Sequence, residues 1–231
     1  MDKIALVTGT NRGIGLEICR QLASRGITVI MTARNMQAGR PLVNELRQQW
    51  KHVWYHQLDV LDEKSIQDMY QYMDISYGKL DILVNNAGVF LDDGKSALDL
   101  DMDTLRSTME TNLYGPFRLI QVMVPLLKKS EDARVINISS TMGQFAGLGQ
   151  RSAAYRISKA ALNAVTVIFS AELSPYNIRV NSVHPGWVKT DMGGPGATRS
   201  VEEGADSVVW LATADKIPNA KFIYDRKIIE W

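Results

Sequence analysis

Short runs of β-branched and other apolar residues alternate along the chain with longer segments whose apolar residues recur at helical spacing. The short runs predict strands at Ile4–Val7, Ile27–Met31, Val53–Leu58, Ile82–Val84, Val135–Ile138 and Ile178–Val183, with a last short strand near Phe222–Tyr224. The longer segments predict helices at Ile14–Arg25, Gln37–Gln49, Glu63–Tyr77, Met102–Lys129, Ala153–Leu173 and Val201–Thr213. Strands that are apolar at nearly every position are typical of a sheet covered by helices on both faces. The pattern therefore predicts an α/β fold built on a doubly wound parallel sheet.

The length of 231 residues and the hydrophobic content of 45% suit one domain of this kind. No internal repeat, low-complexity tract or linker divides the sequence, so we expect a single domain over residues 1–231. The one irregular stretch contains Gly193, Gly194, Pro195 and Gly196. Such a stretch can move over a site, and we expect residues 186–204 to form a substrate flap.

The charge balance argues against polyanionic partners, because 26 basic and 25 acidic side chains leave a net charge of only +1. We therefore expect a small-molecule partner, with neither nucleic acid nor a membrane. No stretch approaches the roughly 18 consecutive apolar residues of a membrane span, and the first ten residues lack the features of a signal peptide. A single cysteine, Cys19, excludes an internal disulfide framework and fits a reducing compartment. These features predict a soluble, cytoplasmic protein.

A glycine cluster follows the first strand directly and opens the first helix: Thr8-Gly9-Thr10-Asn11-Arg12-Gly13-Ile14-Gly15. Glycines at such a turn let a pyrophosphate approach the helix N-terminus and let the helix pack closely on the strand. The cluster predicts a dinucleotide site of the Rossmann type, although a turn without a ligand would also use glycine.

The end of the second strand indicates which dinucleotide is bound. NAD-binding proteins usually place a carboxylate there for the ribose 2′-hydroxyl, whereas this chain reads Thr32-Ala33-Arg34-Asn35. The guanidinium of Arg34 can bind a 2′-phosphate through charge-assisted hydrogen bonds, and Arg12 could approach the same phosphate. The sequence thus favours NADP(H), the alternative being that both arginines are merely solvated.

Four further motifs occur in a fixed order: Asn85-Asn86-Ala87-Gly88, Asn112, Ile138-Ser139-Ser140, and Tyr155-Arg156-Ile157-Ser158-Lys159. With the glycine cluster, this set resembles the short-chain dehydrogenase/reductase family over essentially the whole chain. Within that family, the stretch Pro185-Gly186-Trp187-Val188-Lys189-Thr190-Asp191-Met192 and the tail to Trp231 look like the NADPH-dependent carbonyl reductases. Human-type carbonyl reductases, however, insert a long segment between the serine and the tyrosine. This chain has only residues 141–154 there, which leaves its substrate pocket and subunit number open.

The resemblance implies a catalytic set of Asn112, Ser140, Tyr155 and Lys159. It also implies that the cofactor is bound by Gly9, Asn11, Arg12, Gly13, Ile14, Gly15, Arg34, Asp59, Val60, Asn86, Ala87, Gly88, Tyr155, Lys159, Pro185, Gly186, Val188 and Thr190. Asp59 and Val60 would meet the adenine, and residues 185–190 would hold the nicotinamide carboxamide.

The residue types also suggest how the set could work. Tyr155 and Lys159 are four apart on a predicted helix and so share a face, where the lysine could lower the pKa of the tyrosine by roughly 1–3 units and let it act as acid or base. Side chains alternate across a strand, so only one of Ser139 and Ser140 should face the cleft, and the resemblance favours Ser140. Asn112 could hold a water that connects Lys159 to solvent, or could bond to backbone.

The predicted activity is reduction of an aldehyde, ketone or quinone to the alcohol by NADPH, or the reverse oxidation. The alternative is a sensor that binds NADP(H) without turning over a substrate. No metal is expected, since His52, His56 and His184 lack the spacing of a metal site. Helices 102–129 and 153–173 could pair with copies of themselves, or the sheet could cover their apolar faces, so a homo-oligomer stays open.

Overall fold

Eight strands form one sheet in the computed structural model, which describes residues 3–231. They are β1 (Ile4–Thr8), β2 (Thr28–Ala33), β3 (Val53–Gln57), β4 (Ile82–Asn85), β5 (Ala133–Ile138), β6 (Ile178–Val183), β7 (Phe222–Tyr224) and β8 (Lys227–Ile229). Their order is β3-β2-β1-β4-β5-β6-β7-β8, and every neighbouring pair is parallel except β7 with β8. The order reverses between β1 and β4, the place where doubly wound sheets form a crevice beyond the carboxyl ends of the strands.

Seven α-helices occur within the described residues, and six of them pack in the two core clusters on the faces of the sheet. The seven are α1 (Gly13–Ala23), α2 (Met36–Gln49), α3 (Glu63–Tyr77), α4 (Met102–Met109), α5 (Gly115–Leu127), α6 (Ala153–Leu173) and α7 (Val201–Thr213). Residues of α1, α2 and α7 pack in one core cluster and residues of α3, α5 and α6 in another. Successive side chains of β1 alternate between the two clusters, since Ala5 and Val7 enter the first and Ile4 and Leu6 the second. None of these helices combines the length and apolarity needed to cross a bilayer.

The predicted doubly wound α/β fold is confirmed, and each predicted strand and helix occurs with its ends shifted by at most two residues, apart from the segment 102–129. That segment is not one helix. A π-helical turn, Glu110–Tyr114, separates α4 from α5, and Asn112 lies at its centre. Pro116 contributes to this break because it has no N–H to bond the Asn112 carbonyl four residues earlier. Strand β8 was not predicted, since three half-exposed residues at a sheet edge carry little hydrophobic pattern.

Candidate active site

A cleft of about 890 Å³ opens at the carboxyl ends of the strands, around the point where the strand order reverses. All eighteen residues that the sequence assigns to the cofactor line this cleft, and so does Ser140. Pockets of roughly 300–1,000 Å³ are usual for small molecules and cofactors. Asn112 is the one member of the predicted set whose side chain does not line it.

The glycine turn is packed too closely to admit larger residues. Gly9 has a φ of +68°, and a Cβ there would lie 2.9 Å from the Cα of Ala87. A Cβ on Gly15 would lie 2.4 Å from the carbonyl oxygen of Gly9. Helix α1 then begins at Gly13 without a capping bond from the Arg12 side chain and without an acidic residue in its first turn. This helix start therefore presents backbone N–H groups to the cleft, which suits a phosphate anion.

Thr8 and Asn86 join the glycine turn to the segment that follows β4. The Thr8 hydroxyl accepts hydrogen bonds from the N–H groups of Asn86 at 3.0 Å and Ala87 at 2.9 Å. The Asn86 amide donates in return to the carbonyl oxygens of Thr8 at 2.8 Å and Gly9 at 3.0 Å. Asn86 thus fixes the shape of the turn from the neighbouring strand. Sequence analysis did not single out Thr8, whose part depends on a partner 78 residues away.

The two arginines near the glycine turn differ in their surroundings. Arg34 is exposed at the end of β2, lines the cleft and forms no salt bridge within residues 3–231. Arg12 is paired with Asp191 at 2.6 Å, and this ion pair links the glycine turn to the segment 186–204. Behind them, Thr32 is buried and donates to the carbonyl oxygen of Val7 at 3.0 Å. A guanidinium without a carboxylate beside it fits a 2′-phosphate, and with the open helix start the cleft suits NADP(H).

Tyr155 and Lys159 lie one turn apart on α6, and both line the cleft. The Lys159 ammonium donates to the carbonyl oxygen of Ile138 at 2.8 Å and lies 5.6 Å from the centre of the Tyr155 ring. Burial lowers the pKa of Lys159 to about 8. Burial also raises the pKa of Tyr155 to about 12, although the Ser140 hydroxyl acts in the opposite direction. The pKa of Tyr155 therefore departs from its usual value in the direction opposite to the one expected from Lys159, and burial is the largest cause.

The expectation that only one of Ser139 and Ser140 faces the cleft is wrong, because both serines after β5 line it; they differ in their neighbours. The Ser139 hydroxyl donates to the carbonyl oxygen of Lys159 at 3.4 Å. The Ser140 hydroxyl accepts from the N–H of Met142 at 3.1 Å, at the start of a short 3₁₀ turn, and influences the pKa of Tyr155. Ser140 is thus the serine beside the phenol.

Asn112 is fully buried and holds the strand-to-loop segment after β4. Its side chain accepts from the N–H of Val89 at 2.8 Å and donates to the carbonyl oxygen of Val89 at 2.9 Å. It also donates to the Ser158 hydroxyl at 3.0 Å. A Cβ on Gly88 would lie 3.3 Å from the Asn112 oxygen and 3.7 Å from the Lys159 ammonium, so both side chains lie beside this glycine. Asn112 does bond to backbone, but to another segment and not to its own helix.

Sequence analysis gave Phe90 and Met142 no role and considered His184 only as a metal ligand, yet all three line the cleft. Phe90 stacks on the Tyr155 ring with centroids 4.3 Å apart, and Met142 and Trp187 line the same region. The His184 ring lies 4.9 Å from the Tyr224 ring, and burial lowers the pKa of His184 to about 4. These contacts join distant segments, so no local motif announces them.

The segment 186–204 is tied down at its base by Arg199. The backbone of Arg199 bridges to Val188, and its guanidinium pairs with Asp225 at 2.7 Å. Gly186 has a φ of +85°, and a Cβ there would lie 2.3 Å from the Arg199 side chain. The segment is thus anchored to the C-terminal strands, while Trp187 and Met192 on it are exposed at the cleft.

A family model and individual proteins of similar sequence lead to the same family. The family model described as short chain dehydrogenase matches residues 3–200. The chain is 34% identical to (+)-neomenthol dehydrogenase of Arabidopsis thaliana, covering 99% of this chain and 98% of that protein. It is 32% identical to carbonyl reductase (NADPH) 1 of Bos taurus, with 99% and 98% coverage. These alignments span 292 and 276 positions against 231 residues here, so both relatives contain segments that this chain lacks.

Solved structures agree with the sequence relatives. The NADPH-bound carbonyl reductase from chicken fatty liver superimposes with a TM-score of 0.90 at 29% identity, covering 100% of this chain and 99% of that one. Carbonyl reductase Sniffer of D. melanogaster gives 0.89 at 30% identity, with both chains fully covered. The glycine turn, the serine strand and the Tyr155–Lys159 helix fall within the matched residues 3–200, and the chain belongs to the short-chain dehydrogenase family of oxidoreductases.

Proposed function

We propose that the protein is an NADPH-dependent reductase that converts an aldehyde, ketone or quinone to the alcohol, and that can run the reverse oxidation. The observation that carries this proposal is that one cleft is lined both by Tyr155, Lys159 and Ser140 and by the glycine turn and Arg34. The names of relatives that reduce carbonyls with NADPH support it.

In this proposal, the eighteen predicted cofactor-binding residues that line the cleft would hold NADP(H). The N–H groups at the start of α1 hold the pyrophosphate, and Arg34 binds the 2′-phosphate. Asp59 and Val60 meet the adenine, and residues 185–190 hold the carboxamide. The whole chain acts as one cofactor-binding domain, with residues 186–204 as the flap over the substrate.

The bound cofactor supplies the hydride that reduces the carbonyl carbon. The hydroxyls of Ser140 and Tyr155 donate hydrogen bonds to the substrate oxygen and stabilise the negative charge that develops there. Tyr155 then transfers its proton to that oxygen, and the ammonium of Lys159 stabilises the phenolate that remains. Because the pKa of Tyr155 is raised to about 12, the phenol is protonated and ready to donate at neutral pH.

Proton resupply is assigned to Lys159 and Asn112. The Asn112 oxygen and the Lys159 ammonium both lie beside Gly88, and in this proposal one water bonds to both groups and links them. Asn112 in this proposal orients that water and does not itself touch the substrate.

A panel of aldehydes, ketones and quinones assayed with NADPH and with NADH tests the function. We expect steady NADPH oxidation with at least one class of carbonyl compound. Tyr155→Phe removes only the proton donor, so it should lower kcat by about 10²–10⁴-fold while NADPH binding stays nearly unchanged. Tight NADPH binding without turnover across the panel would instead favour the sensor.

A further inference from the structure

Helix α6, which carries Tyr155 and Lys159, begins without a cap from its own segment. The residue at its N-cap position, Ser152, has a left-handed φ of +55° and its side chain makes no capping bond. The first N–H groups of a helix have no partner within the helix, and burying them without one is costly. Their partner here comes from elsewhere in the chain.

Asp92 supplies that partner from the loop that follows β4. Its carboxylate accepts from the N–H of Ala154 at 2.7 Å and from the N–H of Tyr155 at 3.3 Å. The Asp92 side chain is fully buried and forms no salt bridge within residues 3–231. The positive end of the α6 dipole is what stabilises its charge. A buried carboxylate is therefore bonded to the backbone of the tyrosine that faces the cleft.

The same loop also contacts the Tyr155 side chain. Phe90, two residues before Asp92, stacks on the Tyr155 ring at 4.3 Å with an angle of 28° between the planes. Val89 in turn is fixed by its two hydrogen bonds to Asn112. Residues 89–92 thus hold Tyr155 by its ring and by its backbone, and the π-helical turn holds the loop.

The loop is fastened to the start of α6 at a second point. The N–H of Gly94 donates to the Ser152 hydroxyl at 3.3 Å, and the N–H of Ser152 donates to the carbonyl oxygen of Lys95 at 2.9 Å. Ser152, which adopts the left-handed conformation, is thus bonded to this loop through both its side chain and its backbone. The loop and the first turn of α6 are therefore joined by hydrogen bonds at both Asp92 and Ser152.

We infer that Asp92 is a positioning residue for Tyr155, an inference that rests on the proposed carbonyl reduction. By fixing the first turn of α6, the carboxylate sets where the phenol meets the carbonyl oxygen of the substrate. Displacement of a reacting group by about 1 Å can cost on the order of a hundredfold in rate. Asp92 does not line the cleft, and its side chain reaches the predicted cofactor-binding residues only through the backbone N–H of Tyr155, so its loss should affect turnover more than NADPH binding.

The experiment compares Asp92→Ala and Asp92→Asn with the wild type in kcat for a carbonyl substrate and in Kd for NADPH. We expect Asp92→Ala to lower kcat by about tenfold to a hundredfold, with the Kd for NADPH changed by less than about threefold. Asparagine keeps one acceptor oxygen for the Ala154 N–H. Asp92→Asn should therefore lose only about three- to tenfold in kcat, recovering part of the activity that alanine loses.

Asp101→Ala is the matched control, because Asp101 caps α4 through the N–H of Thr104 at 2.7 Å, lies outside the cleft and reaches the loop only through an exposed ion pair with Lys95 at 3.7 Å. It should leave kcat within about twofold of the wild type. Equal kcat for Asp92→Ala and Asp101→Ala, a parallel loss of NADPH binding, or no recovery with asparagine would each overturn the inference. If Asp92→Ala does not fold, a kcat of Asp92→Asn equal to that of the wild type would also overturn the inference. If the wild type reduces no carbonyl compound, the proposed function is overturned as well. If the wild type is active, a negative result with the variants overturns only the role of Asp92.

Discussion

The Lys159 ammonium lies 5.6 Å from the centre of the Tyr155 ring, and burial separates the two pKa values in opposite directions. The pKa of Lys159 falls to about 8 and that of Tyr155 rises to about 12. Between these two values the phenol still carries its proton while the lysine has lost its charge. As the pH rises, Lys159 therefore loses its charge before Tyr155 loses its proton.

This order predicts how carbonyl reduction depends on pH. Below pH 8 Lys159 is charged and can stabilise the phenolate that forms on Tyr155, so kcat should be nearly constant from about pH 6 to pH 7.5. As the pH rises through about 8 the ammonium is lost, and kcat should fall by up to about tenfold per pH unit. Initial rates at saturating NADPH and substrate measure this. A falling limb that appears only above pH 10 would contradict the assigned pKa.

The serines give a second prediction, which follows from their different neighbours. Ser140→Ala removes the hydroxyl beside the Tyr155 phenol and should lower kcat by about 10²–10³-fold, the range for losing one donor to a developing oxyanion. Ser139→Ala removes only a 3.4 Å bond to the Lys159 carbonyl oxygen and should cost less than about tenfold. Turnover measured with one substrate for both variants decides between them. The reverse ranking would show that Ser139 faces the substrate.

The strands and helices could be predicted because each depends on local signals, whereas most residues that line the cleft were predicted from the resemblance to the family. Apolar runs mark β1 to β6, and glycines mark the turn that opens α1. The contacts of Asp92 with Tyr155 could not be predicted, since they join residues 63 apart in sequence and follow no periodicity. The same holds for the pairing of Arg12 with Asp191.

The rise in the pKa of Tyr155 could not be predicted from the sequence either. Spacing places a lysine one helical turn away, but it does not reveal how deeply both groups are buried. The π-helical turn was missed for a related reason. The pattern of apolar residues from 102 to 129 continues through it, and only the missing N–H of Pro116 hints at the break.

A third prediction concerns stability in acid. The pKa of His184 is about 4 in the folded protein against an ordinary 6.5, mainly because the ring is buried and also because Arg199 is close. Between pH 6.5 and pH 4 the unfolded chain binds a proton that the folded protein rejects, so acidification must destabilise the fold. The full difference corresponds to roughly 3 kcal/mol in the free energy of unfolding.

His184→Gln removes this titration while keeping a polar side chain. Urea unfolding at pH 4.5 and pH 7 should show a smaller loss of stability on acidification for the variant than for the wild type. The variant need not be more stable at pH 7, since the prediction concerns only the difference between the two pH values. Identical differences for the two proteins would assign the acid sensitivity to other groups.

The last prediction concerns the choice between NADPH and NADH. Arg34 is exposed at the cleft without a salt bridge in the described part of the chain, whereas Arg12 is already paired with Asp191. A guanidinium bonded to a 2′-phosphate contributes about 1.5–3 kcal/mol, and NADH offers it only a hydroxyl. NADPH should therefore be preferred by at least about tenfold in kcat/KM.

Arg34→Ala should raise the KM for NADPH and leave the kinetics with NADH almost unchanged, because the lost contact belongs to binding and not to the transition state. Arg40→Ala, which removes an exposed arginine of α2 outside the cleft, is the control and should change neither. If Arg34→Ala weakens both cofactors alike, or if the wild type uses NADH equally well, Arg34 does not bind the 2′-phosphate.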